Sequence, residues 1–256
     1  MHAADFLPGD LALWQFVLLC AVSFLASFIT ATLSLGGGML MLAVLALFIP
    51  PAALIPLHGA VQLGSNSGRA ALMFRDVLRP VLPAFIIGSL IGAAIGGQVV
   101  VTLPVSWLQA ILGAFILYTV WAPGFRARKP GVKTFFILAM ASSLATMFVG
   151  ATGPLILPFV AAASADRRQI AATHAVLMTI QHFLKLAAFG FLGFSFAAWL
   201  PLLGALLAFG FAGTWAGKHV LNRLPEDVFR LVLKAVLTII ALRLLSALLF
   251  AGPAVS

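Results

Sequence analysis

The sequence predicts an all-α integral membrane protein of about ten helical segments, and three observations predict it. Of the 256 residues, 63% are hydrophobic and 8% are charged, with a mean hydropathy of +1.16. A water-soluble domain of this size has no use for so much apolar surface, whereas lipid-facing helices require it. The apolar runs are long and unbroken, where a membrane β-barrel would alternate in short segments. The chain also repeats itself, in two halves of about 120 residues that carry the same succession of segments.

The first ten residues, MHAADFLPGD, lack the basic start of a signal peptide, so the run that follows is read as a retained first helix over 12–33. A Gly-rich break, LGGGM, precedes a short second segment, 39–49. The third segment, 52–73, is apolar but carries a polar face. The fourth, 78–101, contains the GxxxG-like stretch IGAAIGG, and the fifth, 104–122, opens on LP. The basic stretch FRARKPGVK (125–133) then divides the chain. The second half repeats the order as 133–149, 154–163, 169–190, 195–217 and 227–250, with GATGP (150–154) as its break. The second segment of each half has about 10 residues, half of the roughly 20 that a bilayer crossing takes. Such a segment is either re-entrant or the continuation of a broken helix. The expected organisation is a first transmembrane repeat over 1–122, a cytoplasmic linker over 123–132 and a second repeat over 133–256.

Charge placement orients these segments. If all ten cross and the N-terminus lies outside, the inner loops and helix edges hold Arg75, Arg79, Arg126, Arg128, Lys129, Lys133, Arg167, Arg168, Lys218 and Arg223. The outer loops hold no Lys or Arg, which is the positive-inside pattern. Five segments per half is an odd number, so the halves are expected to be inverted. Inverted repeats with short, Gly/Pro-interrupted segments at matching positions are a transporter signature, and the breaks point at the binding site. The net charge of +9 is accounted for by these loops, so no nucleic-acid partner is expected. The single Cys20 excludes a disulfide within the chain.

Polar residues gather on the third segment of each half. His58, Gln62, Ser65, Asn66 and Arg69 share one helical face, and His174, Met178, Gln181, His182 and Lys185 repeat the spacing. His58 falls on His174, Asn66 on His182 and Arg69 on Lys185, each at an offset of 116. Further along, Gly97 falls on Gly217 at an offset of 120. Polar groups in lipid are costly, so both faces are expected to look into the bundle or a watery cavity. Plainer readings stand beside this one. Arg69 and Lys185 either bind a ligand or snorkel to the interfaces. His58, His174, Gln62, Ser65, Asn66 and Gln181 either line a site or tie helices together.

The breaks supply the complementary part of a site. Gly36, Gly37 and Gly38 let backbone N–H groups approach an anion, and a helix expected from Met39 turns its positive dipole end there. Gly150, Thr152 and Gly153 do the same in the second half, with Pro154 expected at the first helical position. The alternative at these glycines is close helix packing or a kink. The six carboxylates, Asp5, Asp10, Asp76, Asp166, Glu226 and Asp227, all lie outside the deep apolar segments. An interior with Arg, Lys and His but no acid suits an anion and leaves the histidines for proton coupling. The chain is not read as an enzyme and calls for no cofactor. It has no HExxH zinc motif, no buried Asp pair, and no acid to orient a Ser–His pair such as Ser65 with His58.

The Gly-rich break, short segment, polar third helix, GxxxG-like fourth helix and LP opening, all duplicated over nearly the whole chain, resemble the TauE/SafE sulfite exporter family. The resemblance implies transport of small sulfur-containing anions, such as sulfite, thiosulfate or organosulfonates like sulfoacetate, across the bacterial inner membrane. It implies that Gly36, Gly37, Gly38, Gly150 and Gly153 form the substrate-facing breaks. The chain departs from the family pattern at His58 and His174, where a small hydroxyl residue is usual. A carrier or channel for another anion or a metal ion, and a membrane enzyme, remain the alternatives.

Overall fold

The structure is a computed structural model that describes residues 11–33, 36–100, 104–121, 130–220 and 226–250. The N-terminal stretch read for a signal peptide lies outside the described residues, as do Arg126, Arg128, Lys129, Arg223 and most of the linker expected at 123–132. Among the described residues there are ten α-helices and no strands. The first half holds α1 (Leu13–Leu33), α2 (Gly37–Phe48), α3 (Pro51–Leu72), α4 (Leu82–Val100) and α5 (Val105–Trp121). The second holds α6 (Val132–Val149), α7 (Gly153–Ala163), α8 (Arg167–Phe191), α9 (Leu200–Val220) and α10 (Glu226–Phe250).

Local chemistry sets the ends. Pro51 occupies the first position of α3, where its missing N–H interrupts no helical hydrogen bond. Asp166 caps α8 by accepting the backbone N–H of Arg168 at 2.8 Å. Two starts differ from expectation. The helix expected from Met39 begins at Gly37, so Gly37 and Gly38 form its first turn and Gly36 alone is the break, with φ 92°. Gly153, not Pro154, opens α7, and Pro154 takes the second position. In both cases the chain turns helical as soon as the preceding residue, Gly36 or Thr152, stops being constrained by the break.

Small residues bring the long helices together. Gly88, Gly92 and Gly96 recur once per turn of α4, and a Cβ on any of them would run into the backbone of α6 between Phe136 and Leu144. Gly213 and Gly217 press α9 on the backbone of α1 at Phe24 and Phe28 in the same way. The matched contacts are therefore Gly92 with Gly213 and Gly96 with Gly217, one residue away from the alignment of Gly97 on Gly217. Gly97 faces Ala188 of α8 and Leu192 just past its end in ordinary contact. This is the close backbone approach by which membrane helices gain dispersion energy without a hydrophobic effect between them.

The packing partners are α1 with α9, α4 with α6, α5 with α10 and α3 with α8. Exchanging the two halves converts the first pair into the second and returns each of the others to itself. α3 and α8 run antiparallel. A Cβ on Gly59 of α3 would meet Lys185 and Leu186 of α8. At the other end Ala70 and Val77 cluster with Ala172, Ala175 and Val176. There the Leu78 N–H donates to Thr173 Oγ1 at 3.0 Å, and Arg168 pairs with Asp76 at 3.5 Å.

The exterior is apolar. Trp14, Phe191, Phe211 and Ile239 stand exposed, Phe191 to 93%, a surface that lipid covers without cost. Leu13–Ala31, Arg79–Val100, Val132–Val149 and Ala197–Gly217 are long and apolar enough to cross a membrane. With 12 and 11 residues, α2 and α7 extend about 18 and 16 Å, roughly half of a bilayer's hydrocarbon thickness. Cys20 is free and buried.

Candidate functional site

The polar faces of α3 and α8 meet the beginnings of α2 and α7 around one small cavity of about 50 Å³. Its polar lining comes from His58, Gln62, Asn66 and Arg69 of α3, His174 and His182 of α8, and Thr30 of α1. Gly36 and Gly38 close it from the first break, Ala151, Gly153 and Pro154 from the second, and Met39 and Met178 add thioethers. Among the described residues, no carboxylate lines it. One probe-sized water occupies roughly 10–15 Å³ of such space, so the cavity has room for a few water-sized groups.

The two breaks share a backbone conformation. Gly36 has φ 92° and ψ −36°, and Gly150 has φ 76° and ψ −43°. At Gly150 the N–H of Ala151 donates back to the carbonyl of Val149 at 2.9 Å, a γ-turn that side-chain-bearing residues avoid. The first turn after each break is also held by a histidine, from α3 in the first half and from α8 in the second. His58 donates from Nε2 to Gly38 O at 2.9 Å, and His174 from Nε2 to Gly153 O at 3.2 Å. A carbonyl can only accept, so Nε2 carries the proton in both rings.

The helix starts offer unequal donors. In α2 the amides of Gly37, Gly38 and Met39 precede the first intrahelical bond, which the Leu40 N–H makes to Gly36 O at 3.0 Å. In α7 the Leu155 N–H already bonds Thr152 O at 3.0 Å, and Pro154 has no N–H, so Gly153 is the free donor. The free backbone donors at the two helix starts therefore come mainly from α2.

Arg69 is aimed by a relay on its own helix. Asn66 donates Nδ2 to the Gln62 carbonyl at 2.7 Å and to Gln62 Oε1 at 3.4 Å. Its Oδ1 accepts Arg69 Nη2 at 2.7 Å. Arg69 Nε remains buried without a hydrogen-bond partner. His58 and His182 stand edge to face with centroids 6.1 Å apart, and the Nδ1 of each is likewise unpartnered.

The rest of the expected set lies behind the cavity. Lys185 has no exposed surface and donates Nζ to Gly150 O at 2.7 Å, so it neither snorkels nor lines the cavity. Gln181 accepts from Thr152 Oγ1 at 2.6 Å and donates Nε2 to Ser142 and Ser143 Oγ, each at 3.0 Å. Thr146 Oγ1 adds a bond to Gly150 O at 3.0 Å. Gly37 backs onto Ala26 and Thr30 of α1, and Ser65 sits half-buried on α3 away from the cavity. The lining residue Thr30 and the supports Ser142, Ser143 and Thr146 were not singled out in the sequence, and Met39 was read only as a helix start. The polar run SSLAT (142–146), inside an otherwise apolar span, was the signal for the supports.

The fold is that of a multi-pass helical membrane protein, with a small cavity lined by Arg69 and three histidines between paired helix breaks. The chain belongs to the sulfite exporter TauE/SafE family, whose model matches residues 19–244. It is therefore a membrane transporter of sulfur-containing anions in the broad sense. No curated protein and no solved structure gives a significant match to the chain.

Proposed function

We propose that the chain is a secondary transporter of a small sulfur oxyanion, sulfite foremost, and that the anion binds in the cavity between α2, α3, α7 and α8. The observation that carries this is the convergence of the Arg69 guanidinium and two helix N-termini on one cavity whose lining, among the described residues, holds no acid. A guanidinium offers planar paired donors, and amides at a helix start add donors with a favourable dipole. Gln62, Thr30 and the histidines complete a polar shell. The volume favours an anion of four or five heavy atoms over an organosulfonate with a longer tail.

The halves act as inverted repeats about an axis through the cavity, α2 and α7 being half-crossings that run from it toward opposite surfaces. The exchange of packing partners, the antiparallel crossing of α3 and α8, and the matched histidine-to-break bonds support that arrangement. Alternating access then consists of one half moving against the other around the bound anion.

Thermal shift of the purified protein against sulfite, thiosulfate, sulfate, sulfoacetate, taurine and isethionate tests the reading. Stabilisation by sulfite that exceeds that by sulfoacetate, and that Arg69→Gln removes, is expected. Stabilisation by taurine or sulfoacetate alone, or by sulfite equally in Arg69→Gln, would overturn it.

A further inference from the structure

The cavity has unlike walls. From the first half come the Arg69 guanidinium and the open amides at the start of α2. Gln62 adds a side-chain amide whose Oε1 accepts Asn66 Nδ2 at 3.4 Å, which leaves its Nε2 to donate. The second half contributes Ala151, Gly153, Pro154, His174, Met178 and His182. Most of these have nothing to give an anion. The Ala151 N–H is turned back on Val149 O, Pro154 has no N–H, and His174 spends its Nε2 proton on Gly153 O. The Gly153 N–H and the His182 ring are the donors left on that side.

Met178 stands in the middle of this wall, one helical turn from His174 and one from His182. A Cβ on Gly153 would lie 3.6 Å from its Sδ, so the thioether reaches the second break. The side chain is buried in the cluster of Phe85, Phe135 and Ile156, which limits how far it can swing aside. In the repeat Met178 falls on Gln62, at the same offset of 116, so one half presents an amide where the other presents a thioether. A thioether has no hydrogen to donate and is a weak acceptor, but its sulfur is polarisable. An anionic oxygen pressed against it is buried without a partner, a loss of roughly 5- to 150-fold in affinity. A sulfur lone pair or an outer sulfur atom needs no donor and gains dispersion there.

We propose that Met178 is the specificity-determining residue of the cavity, selecting sulfur oxyanions that carry three oxygens on one side and none on the other. The oxygens of sulfite or thiosulfate face Arg69, Gln62 and the start of α2. The lone pair of sulfite, or the outer sulfur of thiosulfate, rests on the Met178 thioether. Sulfate is discriminated against because its fourth oxygen meets no donor at Met178. This rests on the proposed anion-carrier reading and deepens it by naming the anion class and the side chain that chooses it.

The test uses the full chain in proteoliposomes, with flux of radiolabelled sulfite inhibited by thiosulfate or by sulfate. These two inhibitors are tetrahedral dianions that differ in one atom, sulfur for oxygen. Sulfate is the smaller, so size works against the expected preference. Wild-type sulfite flux that does not saturate would overturn the carrier reading, and the selectivity with it. Given saturable flux, half-inhibition of the wild type is expected to take at least fivefold more sulfate than thiosulfate. A smaller ratio overturns the proposal and leaves the carrier reading standing. Met178→Gln places a donor amide where the thioether was, and it is expected to lower the ratio at least fivefold; a smaller fall overturns the proposal. If that variant shows no saturable sulfite flux, Met178→Thr, a smaller donor, is read by the same threshold. Met178→Leu keeps the wall without donors and is expected to stay within twofold of the wild-type ratio. A larger fall there would show that volume, and not the lack of a donor, sets the preference, which also overturns the proposal.

Discussion

Replacing Gly150 by alanine probes the break that both Lys185 and His58 contact. Gly150 sits at φ 76° and ψ −43°, a region closed to residues with a Cβ. Holding an alanine there costs about 1–3 kcal/mol. The new methyl would also stand 2.9 Å from Leu42 Cδ1 and 3.3 Å from His58 Nδ1. Leu42 can swing, but it is fully buried, and moderate overpacking adds about 1 kcal/mol or more. The total is roughly 2–4 kcal/mol, and at about 2–4 °C per kcal/mol for a chain of this size Tm falls by roughly 5–15 °C. Gly68→Ala in α3 is the control. A Cβ there meets nothing within 4 Å, so it is expected to gain about 0.5–1 kcal/mol. Thermal unfolding in detergent, with sulfite exchange measured alongside, reads both. If Gly150→Ala unfolds within 1 °C of Gly68→Ala, the break does not have the geometry on which the site depends.

Four further outcomes follow from the packing. Gln181→Leu removes three buried hydrogen bonds between α7, α8 and α6; at about 0.6–1.7 kcal/mol each in a helical membrane protein, equilibrium unfolding should report a loss of roughly 2–5 kcal/mol. A loss below about 0.5 kcal/mol would refute the network. Gly92→Leu pushes a side chain onto the Met140 carbonyl, which cannot rotate away, so α4 must leave α6; a loss of about 1–3 kcal/mol or more is expected. Gly204→Ala in α9, with open space at its Cβ, should instead match or exceed wild type. Asp76→Asn breaks a pair whose Arg168 side chain is 76% exposed, so the change should stay under about 1 kcal/mol and shrink in high salt.

Much of the fold was legible because apolar length must answer to bilayer thickness. The ten helices fall within a few residues of the segments read from the sequence. The helix starts at Gly37 and Gly153 were not, because glycine and proline carry two signals at once, break and first turn. On α3, helical spacing identified the correct face but not its edge. Taking about 100° per residue, His58, Gln62, Asn66 and Arg69 fall within about 80° of one another, and Ser65 lies about 60° off the middle of that arc. Ser65 accordingly misses the cavity. The unlike fates of Arg69 and Lys185 were illegible for a different reason. Spacing aligns side chains, but the carbonyl that captures Lys185 is turned toward α8 by the γ-turn at Gly150, and backbone direction at a break leaves no mark in residue identity.

The central claim is that the cavity at Arg69 holds the transported anion. Purified protein in proteoliposomes, wild type against Arg69→Gln, tests it through the concentration dependence of sulfite flux. One charge-assisted hydrogen bond to an anion contributes about 1.5–3 kcal/mol, so the variant should lose roughly 10- to 150-fold in flux efficiency while keeping its Tm. Sulfite flux in Arg69→Gln within twofold of wild type, at every concentration, would contradict the account.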